Sequence, residues 1–163
     1  MGTFKHIKIN VVDVETSGFQ GPPKGDFVEI ANTPVIVHFE DGELYDLKVG
    51  HTHAVLANPG CECNIEALAT HHITPDLYSN AKESRVVHDE FMAQECDYWA
   101  AHNANFEKKF LTTDKPWICT MKVAQMVYPD APSYKNQVLR YHLGLDKHME
   151  LARTLPAHRA GPD

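Results

Sequence analysis

The sequence predicts an α/β fold in which a mixed sheet is packed by helices, and three observations carry that expectation. The first 56 residues hold β-rich apolar runs, two of them joined by Asp41-Gly42, a strong two-residue hairpin signal. Two later apolar stretches, "DYWAAHN" (97–103) and "WICT" (117–120), are short enough for buried strands, and each leads into a helical pattern. Helical spacing then dominates the second half. The resulting order, βββ-α-α-β-α-β-α-α, calls for helices against a mixed sheet.

Taken in order, residues 6–14 read as the first strand, ending at Asp13. "FVEIANTPVIVHFE" (27–40) and "ELYDLKVGHTHAVL" (43–56) form the hairpin, with Pro34 expected at a bulge or an edge. "IEALATHH" (65–72) and a segment near 83–95 have helical spacing. A helix is predicted at "ANFEKKFL", another at "MKVAQMVY", and a last one at "NQVLRYHLGL", which Gly144 stops.

At 163 residues, with 43% hydrophobic and 23% charged side chains, the chain suits one soluble domain that buries a core without disulfides. No apolar run approaches the ~18 residues that span a bilayer, and the N-terminus lacks the apolar region of a signal peptide. The four cysteines show no paired framework, so the expected compartment is a reducing cytoplasm with no membrane partner. Cys61 and Cys63 have no second pair at zinc-ligand spacing and read as loop residues. The net charge of −7 excludes broad electrostatic adhesion to a polyanion. A short, metal-assisted contact with nucleic acid remains open.

"VVDVETSGF" (11–19) supplies the chemistry. Asp13 and Glu15 lie two apart in a strand, so both project from one face and repel unless something positive sits opposite. Salt bridges or a solvated strand end would satisfy them, and so would a hard divalent cation such as Mg²⁺ or Mn²⁺. Thr16, Ser17 and Gly18 follow at once and allow a ligand to approach the backbone closely. Further donors occur later: Glu107, which also reads as a surface charge beside two lysines, and His158 with Asp163. Five residues on one helix would set His158 and Asp163 ~140° apart. Gly161-Pro162 instead places His158 on a loop, with Pro162 opening a helix that carries Asp163.

"DVETSG", "HNANFE" and the H-x₄-D of "HRAGPD", in this order, resemble the three motifs of the DEDDh 3′–5′ exonucleases, ribonuclease H-like proteins of the proofreading type. "SGFQG", "HHIT" and "PWICTMKVAQMVYPDAPSYKNQ" extend the likeness along most of the chain, toward the branch of exodeoxyribonuclease X. The resemblance implies a five-stranded sheet, three antiparallel N-terminal strands plus two parallel ones. It implies two Mg²⁺, replaceable by Mn²⁺, held by Asp13, Glu15, Glu107 and Asp163, with His158 as general base. Glu107 departs from the pattern, which most often has Asp there.

The implied substrate is a DNA 3′ end, single-stranded or frayed from a duplex. Thr16, Ser17 and Gly18 would offer backbone N–H groups and a hydroxyl to the terminal nucleotide, and Gln20 would help part a duplex end. Phe19 fits either a base contact or the core, and His71 either a substrate contact or a structural role. Asn103 and Phe106 complete the substrate candidates; Lys135 and Asn136 would reach the backbone or sit in a solvated loop. An RNA-directed enzyme of the same superfamily is the alternative, as is a weakly catalytic nucleic-acid-binding subunit associated with a polymerase. Asp163 ends the sequence where the family continues into a helix, so the natural protein is expected to extend further as one exonuclease domain.

Overall fold

The structure is a computed structural model that describes residues 2–148 and 158–162. Among these residues six strands form one sheet: β1 (Phe4–Thr16), β2 (Phe27–Glu40), β3 (Glu43–Val49), β4 (His53–Leu56), β5 (Tyr98–Ala101) and β6 (Trp117–Cys119). Their order is β3-β2-β1-β5-β6, with β4 also beside β2. The pairs among β1 to β4 are antiparallel, whereas β5 joins β1 and β6 joins β5 in parallel. The mixed sheet is the predicted one, with six strands in place of five. The third strand is broken after Val49 into β3 and β4, both of which pair with β2.

Asp41 and Gly42 turn the hairpin with φ of 52° and 87°, the left-handed backbone that a two-residue turn of this hand requires. Pro34 marks neither a bulge nor an edge. It lies inside β2 opposite Asn10, and its carbonyl accepts the Gly50 N–H at 2.8 Å. Amide and carbonyl of one strand residue point the same way, so its missing N–H faces the gap between β3 and β4. No ladder bond is lost there.

The helices are α1 (Ile65–His71), α2 (Pro75–Tyr78), α3 (Ser84–Met92), α4 (Thr120–Val127) and α5 (Asn136–His142). Asn64 caps α1 by accepting the Ala67 N–H at 2.7 Å, and His72 ends it at φ 57°. "ANFEKKFL" does not form the predicted α-helix. Asn103, at φ 63°, turns the chain, and a single 3₁₀ turn follows at Glu107–Lys109.

Along β1, Val12, Val14 and Thr16 are buried on one face. That face packs with Ile30, Val87, Phe91, Trp99 and Ala101 into the main core. Each fully buried large side chain there contributes about 1.5–3 kcal/mol. The period of two sends Val11, Asp13 and Glu15 to the opposite face. The core therefore fixes which way the carboxylates point, and a slip of one residue would bury them.

Candidate active site

Asp13 and Glu15 lie near the carboxyl end of β1, where parallel-strand α/β folds place ligands. Glu15 stands opposite Glu29 in the β1–β2 ladder, but Thr16 stands opposite Phe27, leaving Val28 as an extra residue in β2. Such a bulge bends the strand and re-aims its side chains.

Two cavities adjoin this strand end. One, of about 180 Å³, is lined by Asp13, His102 and Thr120, by Asn136 at the start of α5, and by Ala160, Gly161 and Pro162. The other, of about 190 Å³, is lined by Glu15, Thr16, Gly18, Phe19, Ala67, Thr70, His71 and Phe106. Residues far apart in sequence thus meet around the two carboxylates.

Phe19 is not a core residue. The residue is 67% exposed, and its ring meets that of Phe106 edge to face, with centroids 6.5 Å apart. The loop that carries it is held by Lys109, whose Nζ donates to the Phe19 carbonyl at 3.3 Å. A Cβ at Gly21 would stand 2.4 Å from the Lys109 carbonyl oxygen, so only glycine permits that approach. Ser17 is less available than expected: its N–H donates to the Asp26 carbonyl, and its hydroxyl accepts from Asp26 N–H. The Thr16 hydroxyl donates to the Gly18 carbonyl at 2.8 Å. These groups build the loop rather than face outward. Gln20, Asn103 and Lys135 are exposed and line neither cavity.

His71 joins α1 to the end of β1. Its Nδ1 accepts the Ile73 N–H at 2.9 Å and its Nε2–H donates to the Thr16 carbonyl at 3.2 Å, which fixes the neutral tautomer. Burial lowers its pKa from the ordinary value near 6.5, although the bond to Thr16 works the other way. Folding then prefers the unprotonated ring. The stability it contributes is complete above the unfolded pKa and is lost as pH falls through the lower folded one. Between pH 7.5 and 5 the wild-type Tm should drop relative to that of His71→Gln. Equal slopes would remove His71 as the cause.

Glu107 is 2% exposed, not a surface charge. Burial pushes its carboxyl up to about 7, and Oε2 has no hydrogen-bond partner among the described residues. A buried carboxylate oxygen left without a donor suits a cation partner. Asp13, Glu15 and Glu107 carry the carboxylate oxygens that a hard divalent cation prefers. Their convergence is less complete than the resemblance implied. Among the described residues no three of His, Cys, Asp or Glu come together closely enough to hold a metal ion. The fourth expected ligand, Asp163, lies outside the described residues.

His158 sits at φ 61° in a bend, exposed, and lines neither cavity. Its successors do reach the site. Arg159 donates through Nε at 2.9 Å and through Nη2 to the buried carboxylate of Glu29, and Ala160 N–H donates to the same group at 2.9 Å. Neither Glu29 nor Arg159 stood out in the sequence, although an acidic residue inside the buried run "FVEIA" was a usable signal. His102 was also missed: its Nε2 meets the Tyr134 carbonyl and its Nδ1 lies 3.0 Å from the Thr120 hydroxyl. It ties the end of β5 to the loop before α5.

Among curated protein sequences none matches this chain. Residues 11–163 match the family model described as Exonuclease. The structure is similar to that of exonuclease X in complex with 5′-overhanging duplex DNA, at TM-score 0.70 and 27% identity over 94% of this chain and 82% of that one. It shares its fold with Escherichia coli exonuclease I in complex with a dA16 oligonucleotide, at TM-score 0.61 and 14% identity, over 96% of this chain but 38% of that one. A 3′-exonuclease that recognises a histone mRNA stem-loop has the same fold, at TM-score 0.61 and 17% identity, over 96% of this chain and 59% of that one. The sheet, with its four antiparallel N-terminal strands and two parallel strands, is ribonuclease H-like. The match from residue 11 to residue 163, together with the ordered acidic motifs, places the chain in the exonuclease family of hydrolytic nucleases, as a DEDDh-type member.

Proposed function

We propose that this protein is a metal-dependent 3′–5′ exodeoxyribonuclease that releases nucleoside 5′-monophosphates. The observation that carries the reading is the pair of carboxylates on one face of β1, each lining a cavity, one of them also lined by the exposed Phe19 and the half-buried Phe106. The carboxylates of Asp13, Glu15, Glu107 and Asp163 are the oxygen donors for Mg²⁺ or Mn²⁺, which when bound stabilise negative charge at the phosphate. His158, as general base, takes a proton from the attacking water. The water oxygen bonds to phosphorus, the bond from phosphorus to the preceding 3′ oxygen breaks, and that oxygen leaves and is protonated. Phe19 and Phe106 offer the last base a stacking surface, which tolerates any sequence. The DNA bound by exonuclease X and by exonuclease I supports the choice of substrate.

Digestion of 5′-labelled DNA, single-stranded and as a 5′-overhanging duplex, tests this. Shortening from the 3′ end with 5′-mononucleotide products is expected. EDTA should stop the reaction, and Mg²⁺ or Mn²⁺ should restore it. Internal cuts, 3′-mononucleotides or restoration by Zn²⁺ alone would overturn the reading. A matched RNA oligomer belongs in the same assay, because the fold shared with the histone mRNA exonuclease supports an RNA substrate as the second reading.

A further inference from the structure

We propose that Glu29 is a positioning residue: its buried carboxylate clamps the turn after His158 and so aims the His158 imidazole at the face of the sheet that carries Asp13 and Glu15. The inference rests on the exonuclease reading, in which His158 is the base.

Glu29 is 3% exposed and stands directly opposite Glu15 in the β1–β2 ladder, so the two side chains share a face. Two carboxylates so placed repel. Arg159, 130 residues along the chain, lies against Glu29 with a two-toothed contact, Nε to Oε2 at 2.9 Å and Nη2 to Oε1. The planar fork of a guanidinium fixes orientation as well as distance, which a lysine cannot do. Beside Glu29, which holds it charged, the guanidinium also feels Glu15 and offsets the repulsion between the two acids.

Glu29 Oε2 also accepts the Ala160 N–H at 2.9 Å, so side chain and main chain of the turn are both tied down. This matters because His158 has φ 61°. A non-glycine residue holds that backbone only where its surroundings over-determine it. The bonds to the two residues that follow supply the constraint. Beyond them, Ala160, Gly161 and Pro162 form the cavity wall that faces Asp13. With both oxygens engaged by the turn, Glu29 acts as an anchor and not as a ligand.

The test uses Glu29→Gln, which keeps size but loses charge, alone and combined with His158→Ala. Turnover, KM for a DNA oligomer, Mn²⁺ affinity by calorimetry and amide exchange at Ala160 are measured. Glu29→Gln should lower kcat roughly 10²-fold, the cost of misplacing a reacting group by about an ångström. KM and Mn²⁺ affinity should stay unchanged, and Ala160 exchange should quicken. In the His158→Ala background the same substitution should cost nothing more, because its route to the chemistry is already gone. An equal loss in both backgrounds, or unchanged kcat, overturns the proposal, since a residue that only supports the fold would act alike in either. Arg159→Lys, which removes the fork but leaves no buried charge unpaired, should change kcat in the same direction if Glu29→Gln does not fold. A wild-type chain that cuts no nucleic acid defeats the exonuclease reading, whereas slow Ala160 exchange in Glu29→Gln defeats the clamp itself.

Discussion

Asp13→Ala should abolish nuclease activity while leaving the fold in place, and Glu15→Ala should do the same. Both side chains leave β1 on the face away from the Val12–Val14 core, so truncating them opens no cavity in it. The effect on stability should stay below ~1 kcal/mol, which is ~2–4 °C in Tm for a domain of this size. Activity should respond far more. Each residue is a proposed ligand, and removing one takes away charge stabilisation and substrate placement together. Turnover of a labelled DNA oligomer in Mg²⁺, read beside a melting curve, checks both halves. More than about a tenth of wild-type turnover in either variant would defeat the metal-ligand assignment. A collapse of Tm would show that the residues serve the fold instead.

How much was legible beforehand depended on how local the signal was. The hairpin announced itself because Asp41-Gly42 can adopt the positive φ that its neighbours cannot. The acidic pair was visible because a spacing of two in a strand fixes a shared face whatever else the chain does. α2 was missed because its four residues, "PDLY", are too few to display a period. The split of the third strand turns on pairing with β2 across the break after Val49, which composition does not record.

In "ANFEKKFL" the helical spacing was real, yet only a 3₁₀ turn formed. Phe106 and Phe110 pack against each other and the core, while the left-handed Asn103 fixes where the turn begins. The bond between Glu29 and Arg159 spans 130 residues, a distance over which no sequence pattern reports contact. The motifs therefore reported the reacting groups. What the groups rest on came from the tertiary arrangement.

Glu107→Gln should be nearly inactive, and Glu107→Asp should retain substantial activity, because the family's pattern usually works with the shorter side chain. Glutamine keeps the volume and removes the charge, so the loss would not be one of packing. Stability gives an independent reading. In metal-free protein the Glu107 carboxyl is raised by burial from near 4.5 to about 7. A raised acid binds its proton more tightly in the folded state, so its contribution is best below the unfolded pKa and declines as pH rises through 7. In EDTA, then, the Tm of Glu107→Gln should rise relative to that of the wild type as pH goes from 5 to 8. Mn²⁺ should reverse the order at pH 8. A bound cation favours the ionised carboxylate and stabilises the state that holds it, in proportion to ligand concentration over Kd. Wild type and Glu107→Asp should then gain Tm, whereas Glu107→Gln should gain little. If Mn²⁺ raised the Tm of Glu107→Gln as much as that of the wild type, Glu107 would not be a ligand. Its buried oxygen, without a hydrogen-bond partner among the described residues, would then be only a cost to the fold once ionised, and the neutral variant would be the more stable protein above pH 7.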